Sequence, residues 1–577
     1  MINMHPRSQG GFALALTLIV FLGVAVIATG ALMVAMNSGL ITIYHGQQND
    51  MARAAEAALE QARARINADP TLYPDTGFLA LEVDAPVVDL GGDARPGLRR
   101  TTWVGPTGLG TGEYGVQGSV VSMVKSGRST VIRRGQVVQE SFAKFAYFTD
   151  VEPSNIAFGG GDNLFGPVHS NDDLRIYSSG ATFHGPVSTA GQISGTDYGQ
   201  FRQGYDEFAP RIPLPQLADL QKLQGYAQQG GTAFNGTFTA AQGRATTRIE
   251  FVGVDLNGDG DNTDSDEGFI RVYQSNDPEW VVGSVPVDDM RDARNCGHYH
   301  GNAFVSADDH PTSGNDDYRD ALRSGSRRCY LGGDSAITNG FAEDDGQGSW
   351  LRWNGPVSPQ LAGRADANNL FPVRRDLNAD FKGVVYVSGD VAVSGTVRGR
   401  LTVAASGDII IADDIRYAID PAVGSCEDIL GLFAGGEIVV AHNPVNAPWR
   451  IRSNAGEPYR TFDDTSSEFI HGFILTLDEF GVEAYNEGAS NAEDCESTNW
   501  GRGCLYITGG IIQRQRGAVG TSGGTGYLKR YSYDPCGATQ PPPYFPTTGR
   551  FARSTFYEIA PTDFEVRAFY DMLSAGR

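Results

Sequence analysis

Positive charge is scarce in this sequence. Only 20% of its 577 residues are charged, and 45 Lys and Arg stand against 68 Asp and Glu, for a formal net charge of −23. A surface so short of cations repels phosphates, so no nucleic-acid partner is expected. There is no His-Glu-x-x-His, no phosphate-cradling glycine loop and no Cys-x-x-Cys pair, so zincin, nucleotide and zinc-ribbon chemistry have no motif to rest on. The 74 glycines follow no triplet period, which excludes collagen. The expectation is a protein that is not an enzyme.

What is present is apolar and turn-rich. Hydrophobic residues make up 41%, enough to bury a large core, so wholesale disorder is excluded as well. Glycine at about one residue in eight, against ~7% ordinarily, points to many short strands joined by tight turns.

The N-terminus decides the compartment. Residues 12–36 form 25 consecutive positions without a charge. As a helix rising ~1.5 Å per residue they span about 37 Å, enough for a ~30 Å hydrocarbon core. A secretory signal has an apolar stretch of only ~7–15 residues, so this one is too long. Arg7 precedes it and no acidic residue occurs in 1–11, so the short N-terminus stays cytoplasmic and the rest is exported. The helix then continues through residues 37–68, where Asp50 to Ile66 are nearly all strong helix formers. Glu56 and Glu60 are spaced to pair with Arg63 or Arg65. A single helix from Phe12 to about Ile66 would be roughly 80 Å long.

The leader Arg7-Ser8-Gln9-Gly10-Gly11-Phe12 resembles the class III signal of type IV pilins. The resemblance implies that a prepilin peptidase removes residues 1–11, cutting after Gly11 and methylating Phe12. Ala54-Ala55-Glu56-Ala57-Ala58-Leu59 is similar to the PilX-type minor pilin family. Other pilin subunits, the pilus assembly platform and the membrane are the implied partners. Major pilins carry a glutamate where this chain has Leu16, followed by Thr17. A buried ammonium without that carboxylate is costly, which favours a tip or initiating subunit over a shaft subunit. The alternative is a plain signal anchor, never cut, holding a surface scaffold or adhesin.

The expected fold class is mainly β with one long N-terminal α-helix and a β-solenoid ectodomain. A small β region is expected over 79–147, the ectodomain over 148–561, and a short amphipathic helix and tail over 562–577. In 383–417, strands of three to five residues are punctuated by Gly389, Gly395, Gly399 and Gly407, which suits stacked coils better than a sandwich. This stretch, the Gly-Pro-Val-His-Ser-Asn of 166–171, Tyr533-Asp534-Pro535 and the prolines 541–543 together resemble an uncharacterised domain often found behind PilX-type anchors. The run 541–546 is read as a cover for a solenoid end.

The sharpest local motif lies at 255–267. Asp255, Asn257 and Asp259 supply oxygens at the first, third and fifth places, Gly260 the sixth, and Asp266 the twelfth, with Asp261 and Glu267 beside them. This is calcium-type spacing on a β-hairpin tip, with a structural Ca2+ expected and a solvated acidic turn as the alternative. Six cysteines lie beyond the apolar helix, in an oxidising compartment. Cys495 with Cys504, Cys296 with Cys329, and Cys426 with Cys536 form one scheme of the fifteen possible. His298 and His300 share a strand face but have no evident third ligand, and His169 is read as a turn hydrogen-bonder. Asp308-Asp309, Asp316-Asp317 and Asp344-Asp345 read as solvated loops, although a polysaccharide-active solenoid would need such acids in a groove.

Overall fold

The computed structural model describes residues 10–74, 76–89, 91–107, 113, 115–236, 245–275, 281–282, 285–286, 297–300, 303–306, 328–329, 348–364, 366–442, 450–452, 458–460, 467–486, 493–496, 498–521 and 523–575. They form two compact units, Met1–Leu109 with Gln117–Val138 and Arg550–Arg577, and Gly110–Val116 with Gln139–Gly549.

The first unit is built on α1 (Gly10–Ala68), 59 residues and about 88 Å long. It stops because Pro70 cannot extend a helix, and the Asp69 carboxylate instead accepts the Thr71 N–H at 3.1 Å. From 12 to 44 its apolar side chains face outward, with Phe12 78% and Phe21 78% exposed. In its second half Met51, Ala55, Leu59, Ala62 and Ile66 recur at helical spacing and are buried. Four antiparallel strands, β1 (Leu79–Val88), β2 (Ala94–Pro106), β3 (Gln117–Ser126) and β4 (Ser129–Ser141), receive that face. Val124 and Val131 pack with Met51 and Ala55, while Val121 and Ile132, at odd separations of three and one residues from them, point to the opposite face, as a period of two requires. There Trp103 and the helix Val566–Ala575 close the sheet, and Tyr570 donates its hydroxyl proton to the Ser119 carbonyl at 2.8 Å.

The β region differs from the expected 79–147, since 139–147 fall in the second unit and a distant segment joins the first. Its fifth strand, Thr547–Ile559, lies next to β4 although some four hundred residues separate them. Asn67 of α1 holds that strand through two hydrogen bonds with Phe551, at 2.7 and 3.0 Å.

The second unit is dominated by rows of parallel strands. One inward-facing ladder runs Val385, Val403, Leu432, Ile474, Ile511, Tyr147, Val168, Val187, each paired with the next. All eight belong to one apolar core. A second row passes through Val391–Val397, Ile409–Tyr417 and Ile438–Val440, and a third through Asp162–Leu164, Ala181–Phe183 and Gly199–Phe201. Spatial order is not chain order. The segment from 147 to 206 stacks on Cys504–Arg516, whereas α2 (Leu217–Gln229) and the strand Ala233–Asn235 begin again at Val384–Ser388, at the other end of the row.

Mainly β with one long N-terminal helix is thus the observed class. The expected solenoid is not shown as such, because the large sheet also takes in the antiparallel hairpin Thr247–Gly253/Gly268–Ser275. In 383–417 the strands also exceed the expected three to five residues, with Val391–Val397 running through Gly395 and Ile409–Tyr417 nine residues long, and the two strands Glu468–Val482 and Cys504–Arg516 are longer still. They bend from one row into another at Gly472 and Gly509, which are paired. A Cβ on Gly509 would lie 1.9 Å from the Gly472 carbonyl oxygen, so only glycine fits. The proline run covers a flank rather than an end. Gly431, without a side chain, lets Pro542 and Phe545 lie on its strand, and Thr402 Oγ1 donates to the Pro543 carbonyl at 2.5 Å.

The junction between the two stacked segments carries buried charge. Arg516 Nη1 lies 3.2 Å from Glu152 Oε2, with both side chains almost fully buried, and its guanidinium sits 4.0 Å above the Phe158 ring. Glu152 also accepts from Tyr147 Oη at 2.9 Å and Thr149 Oγ1 at 2.6 Å. Arg516→Met is expected to strand that carboxylate and cost about 3–5 kcal/mol. Urea unfolding should show the drop, with Arg516→Met/Glu152→Gln recovering most of it; an unchanged midpoint in the single variant would mean the pair carries nothing.

Candidate functional site

Two features combine exposure with chemistry that the core does not use, namely the apolar half of α1 and the acidic loop. Gly11 lies in α1 and Phe12 is exposed. Leu16 is 54% exposed, and Thr17 turns its hydroxyl back onto the Ala13 and Leu14 carbonyls at 3.0 and 2.9 Å. That back-bonding leaves no unsatisfied polar group on the helix surface there, as an apolar environment demands. This is the one helix among the described residues long and apolar enough to cross a membrane.

The loop 255–267 joins the two strands of the antiparallel hairpin and is tied by its own carboxylates. Asp255 accepts the N–H groups of Gly258 and Gly260 at 2.6 and 2.9 Å, and Asp259 that of Asp261 at 3.2 Å. Hydrogen bonds from the Thr263 N–H and hydroxyl hold the Asp261 carboxyl below the usual carboxylate range. Asp264, which the motif spacing passes over, is drawn in at 2.6 Å by the Asn257 amide. Glu267 turns the other way. Fully buried, it accepts the Leu256 and Asp264 N–H groups at 2.7 and 2.8 Å, so it shapes the loop from beneath while half-buried Asp266 stands beside it. The outward donor set is therefore Asp255, Asn257, Asp259, Asp261 and Asp264, all hard oxygens suited to a calcium-sized ion.

Cys426 and Cys536 are bonded with Cα atoms 5.4 Å apart, and Cys495 with Cys504 at 5.0 Å. Cys296, the side chains of Cys329, His298 and His300, and the aspartates of 308–309, 316–317 and 344–345 lie outside the described residues. His169 bonds Ser188 at 2.8 Å and Asn171 at 3.1 Å and stacks on Phe148, so it braces a turn. The sequence 520–524 has the Gly-x-Ser-x-Gly spacing of a nucleophile elbow, but its Ser522 lies outside the described residues, and Gly520–Thr521 pairs with the strand Thr525–Gly526, where an elbow would lead into a helix. At the Gly-Asp turns, Asp390 accepts the Asp408 N–H and Asp408 that of Glu437, each at 2.8 Å. Burial, with Asp390 and Asp478 nearby, holds Asp408 above the usual carboxylate range. A triad that sequence reading missed, Asp413, Asp414 and Glu468, brings carboxylate oxygens within 4.8 Å; Arg416 pairs with its Asp414 at 2.8 Å. Its sequence signal was a pair of adjacent aspartates inside the strand Ile409–Tyr417, where the register shifts.

Neither a family model nor a curated protein sequence matches the chain. Among solved structures it is similar to the competence-associated pilin ComZ from Thermus thermophilus, at 12% identity and a TM-score of 0.27, covering 88% of this chain and 96% of that one. At that score the likeness carries no weight for fold or role.

Proposed function

We propose that the chain is a minor pilin-like subunit of a type IV pilus or related secretion filament, with a mechanical rather than catalytic task. One observation carries this: half of α1 is apolar and exposed, while the other half is seated on an antiparallel sheet. The bare half is held in the inner membrane as a single pass and then packs among the helices of other pilin subunits. A prepilin peptidase cuts after Gly11, and the assembly platform extracts the helix. Leu16 in place of a glutamate fits a subunit at the tip, where it would prime assembly and display the ectodomain. The same leucine would suit an uncut anchor for a surface scaffold or adhesin, which is the competing reading. N-terminal mass spectrometry of the membrane and sheared-surface fractions should find chains beginning at N-methylated Phe12; intact Met1 in both fractions would rule the pilin reading out.

We read the parallel rows as the faces of a β-solenoid, and the loop 255–267 as a structural calcium site of that ectodomain. The outward carboxylates support the second reading, since an ion would relieve their mutual repulsion. Calorimetric titration of the solubilised full chain with CaCl2 should give saturable binding with a Kd of about 10⁻⁴–10⁻³ M. Asp255→Ala should abolish it; no heat from the unaltered chain would refute the site.

A further inference from the structure

The second unit carries a groove with a chemistry unlike the rest of this acidic chain. Its cavity is about 640 Å³ and is lined by Asp150, Asn171, Gly435, Leu477, Arg514 and the segment 211–217. The floor is a ladder. Gly435, Leu477, Arg514, Asp150 and Asn171 each sit one residue beyond a paired position on successive strands, the pairs being Ala434 with Thr476, Thr476 with Gln513, Gln513 with Thr149, and Thr149 with Ser170. Four rung spacings of ~4.8 Å make it about 19 Å long. The wall is the extended Ile212-Pro213-Leu214-Pro215, anchored at its start by Asn171, which accepts the Ile212 N–H at 2.8 Å and donates to its carbonyl at 2.7 Å.

Charge inside the groove is unevenly matched. Asp150 is engaged by Arg211 at 2.9 Å and by the Asn171 amide at 2.8 Å. Arg514 is exposed and has no hydrogen-bond or ion-pair partner among the described residues. A free cation midway along a 19 Å channel, in a chain of net charge −23, calls for an anion supplied from outside.

We propose that this groove docks an extended, acidic peptide segment of a partner protein, five or six residues long, with a carboxylate on Arg514 and aliphatic side chains against the Pro-Leu-Pro wall. An extended chain at ~3.3 Å per residue covers the floor in about six residues. The lining favours peptide over acidic glycan, because none of the groove's lining residues is aromatic and so no ring is offered for a sugar face. The wall cannot add a strand, since two of its residues are prolines without N–H groups; recognition therefore falls on side chains. Guanidinium and carboxylate would meet in bidentate geometry.

The test uses the detergent-solubilised full chain and a dye-labelled hexapeptide alternating leucine and glutamate. Its lysine-for-glutamate counterpart and labelled tetragalacturonate are the other two arms. Fluorescence anisotropy should show saturable binding of the glutamate peptide that weakens steeply with salt. Arg514→Glu should weaken it at least tenfold with no change in the unfolding midpoint, whereas Arg202→Glu, an exposed arginine outside the groove, should leave it as it is. Absence of binding, equal binding of the lysine peptide, or unchanged affinity in Arg514→Glu would overturn the proposal. Preferential binding of tetragalacturonate would also overturn it, in favour of an acidic glycan.

Discussion

A helix whose first half is covered by none of the described residues constrains everything else about this chain. Side chains from Phe12 to Tyr44 stand in the open, and each large apolar one left in water forgoes roughly 1.5–3 kcal/mol. Summed over that length the deficit exceeds the ~5–15 kcal/mol by which a typical domain is stable, so the segment must sit in lipid or against similar helices. It can move between those surroundings because neither asks for polar contacts. Thr17, Thr29 and Thr42 each return their hydroxyl to a carbonyl of the helix itself. The second half has the opposite property. Small residues such as Ala55, Ala58 and Ala62 let it lie close on a sheet, and Arg100, held by Glu82 and Gln61, fastens the contact with charge.

The second unit is assembled out of chain order, and this shapes how it can form. Tyr147 finds its ladder neighbour Ile511 only after more than three hundred further residues. Closing so long a loop is entropically slow, so the segment from 147 to 206 has no stacking partner until the far part of the chain has arrived. The buried pair Arg516–Glu152 and the half-buried pair Lys529–Asp162 sit at this late junction. A shifted register would leave those charges unpaired, which ties the docking to one alignment. The Cys426–Cys536 bridge, joining positions 110 residues apart, fastens the proline run to the flank of the same stack.

Much of this could be read from residues alone, wherever the signal was local. The uncharged run after Gly11 and the alanine-rich continuation gave the long helix directly; the glycines near Val384 marked strands, but not their length, since Val391–Val397 runs through Gly395 and Ile409–Tyr417 has nine residues where three to five were expected. The acidic hairpin loop was legible by spacing, although spacing could not tell that Glu267 faces inward and Asp264 outward; that depends on which carboxylate the Leu256 and Asp264 N–H groups claim. Non-local features were invisible. Nothing at Thr547 announces that it completes a sheet begun at Leu79, because the two meet only through three-dimensional pairing. The groove around Arg514 was hidden for the same reason, since its floor is drawn from five strands and its wall from a stretch that reads as an ordinary proline-rich linker.

The central claim is that the bare half of α1 ends up inside a filament and carries the ectodomain with it. Nanogold labelling of the ectodomain on filaments sheared from cells tests this most directly. The account predicts gold at filament ends, lost when Gly11 is replaced so that the leader stays on. Gold confined to membrane fragments, with unlabelled filaments and no effect of the Gly11 change, would contradict it.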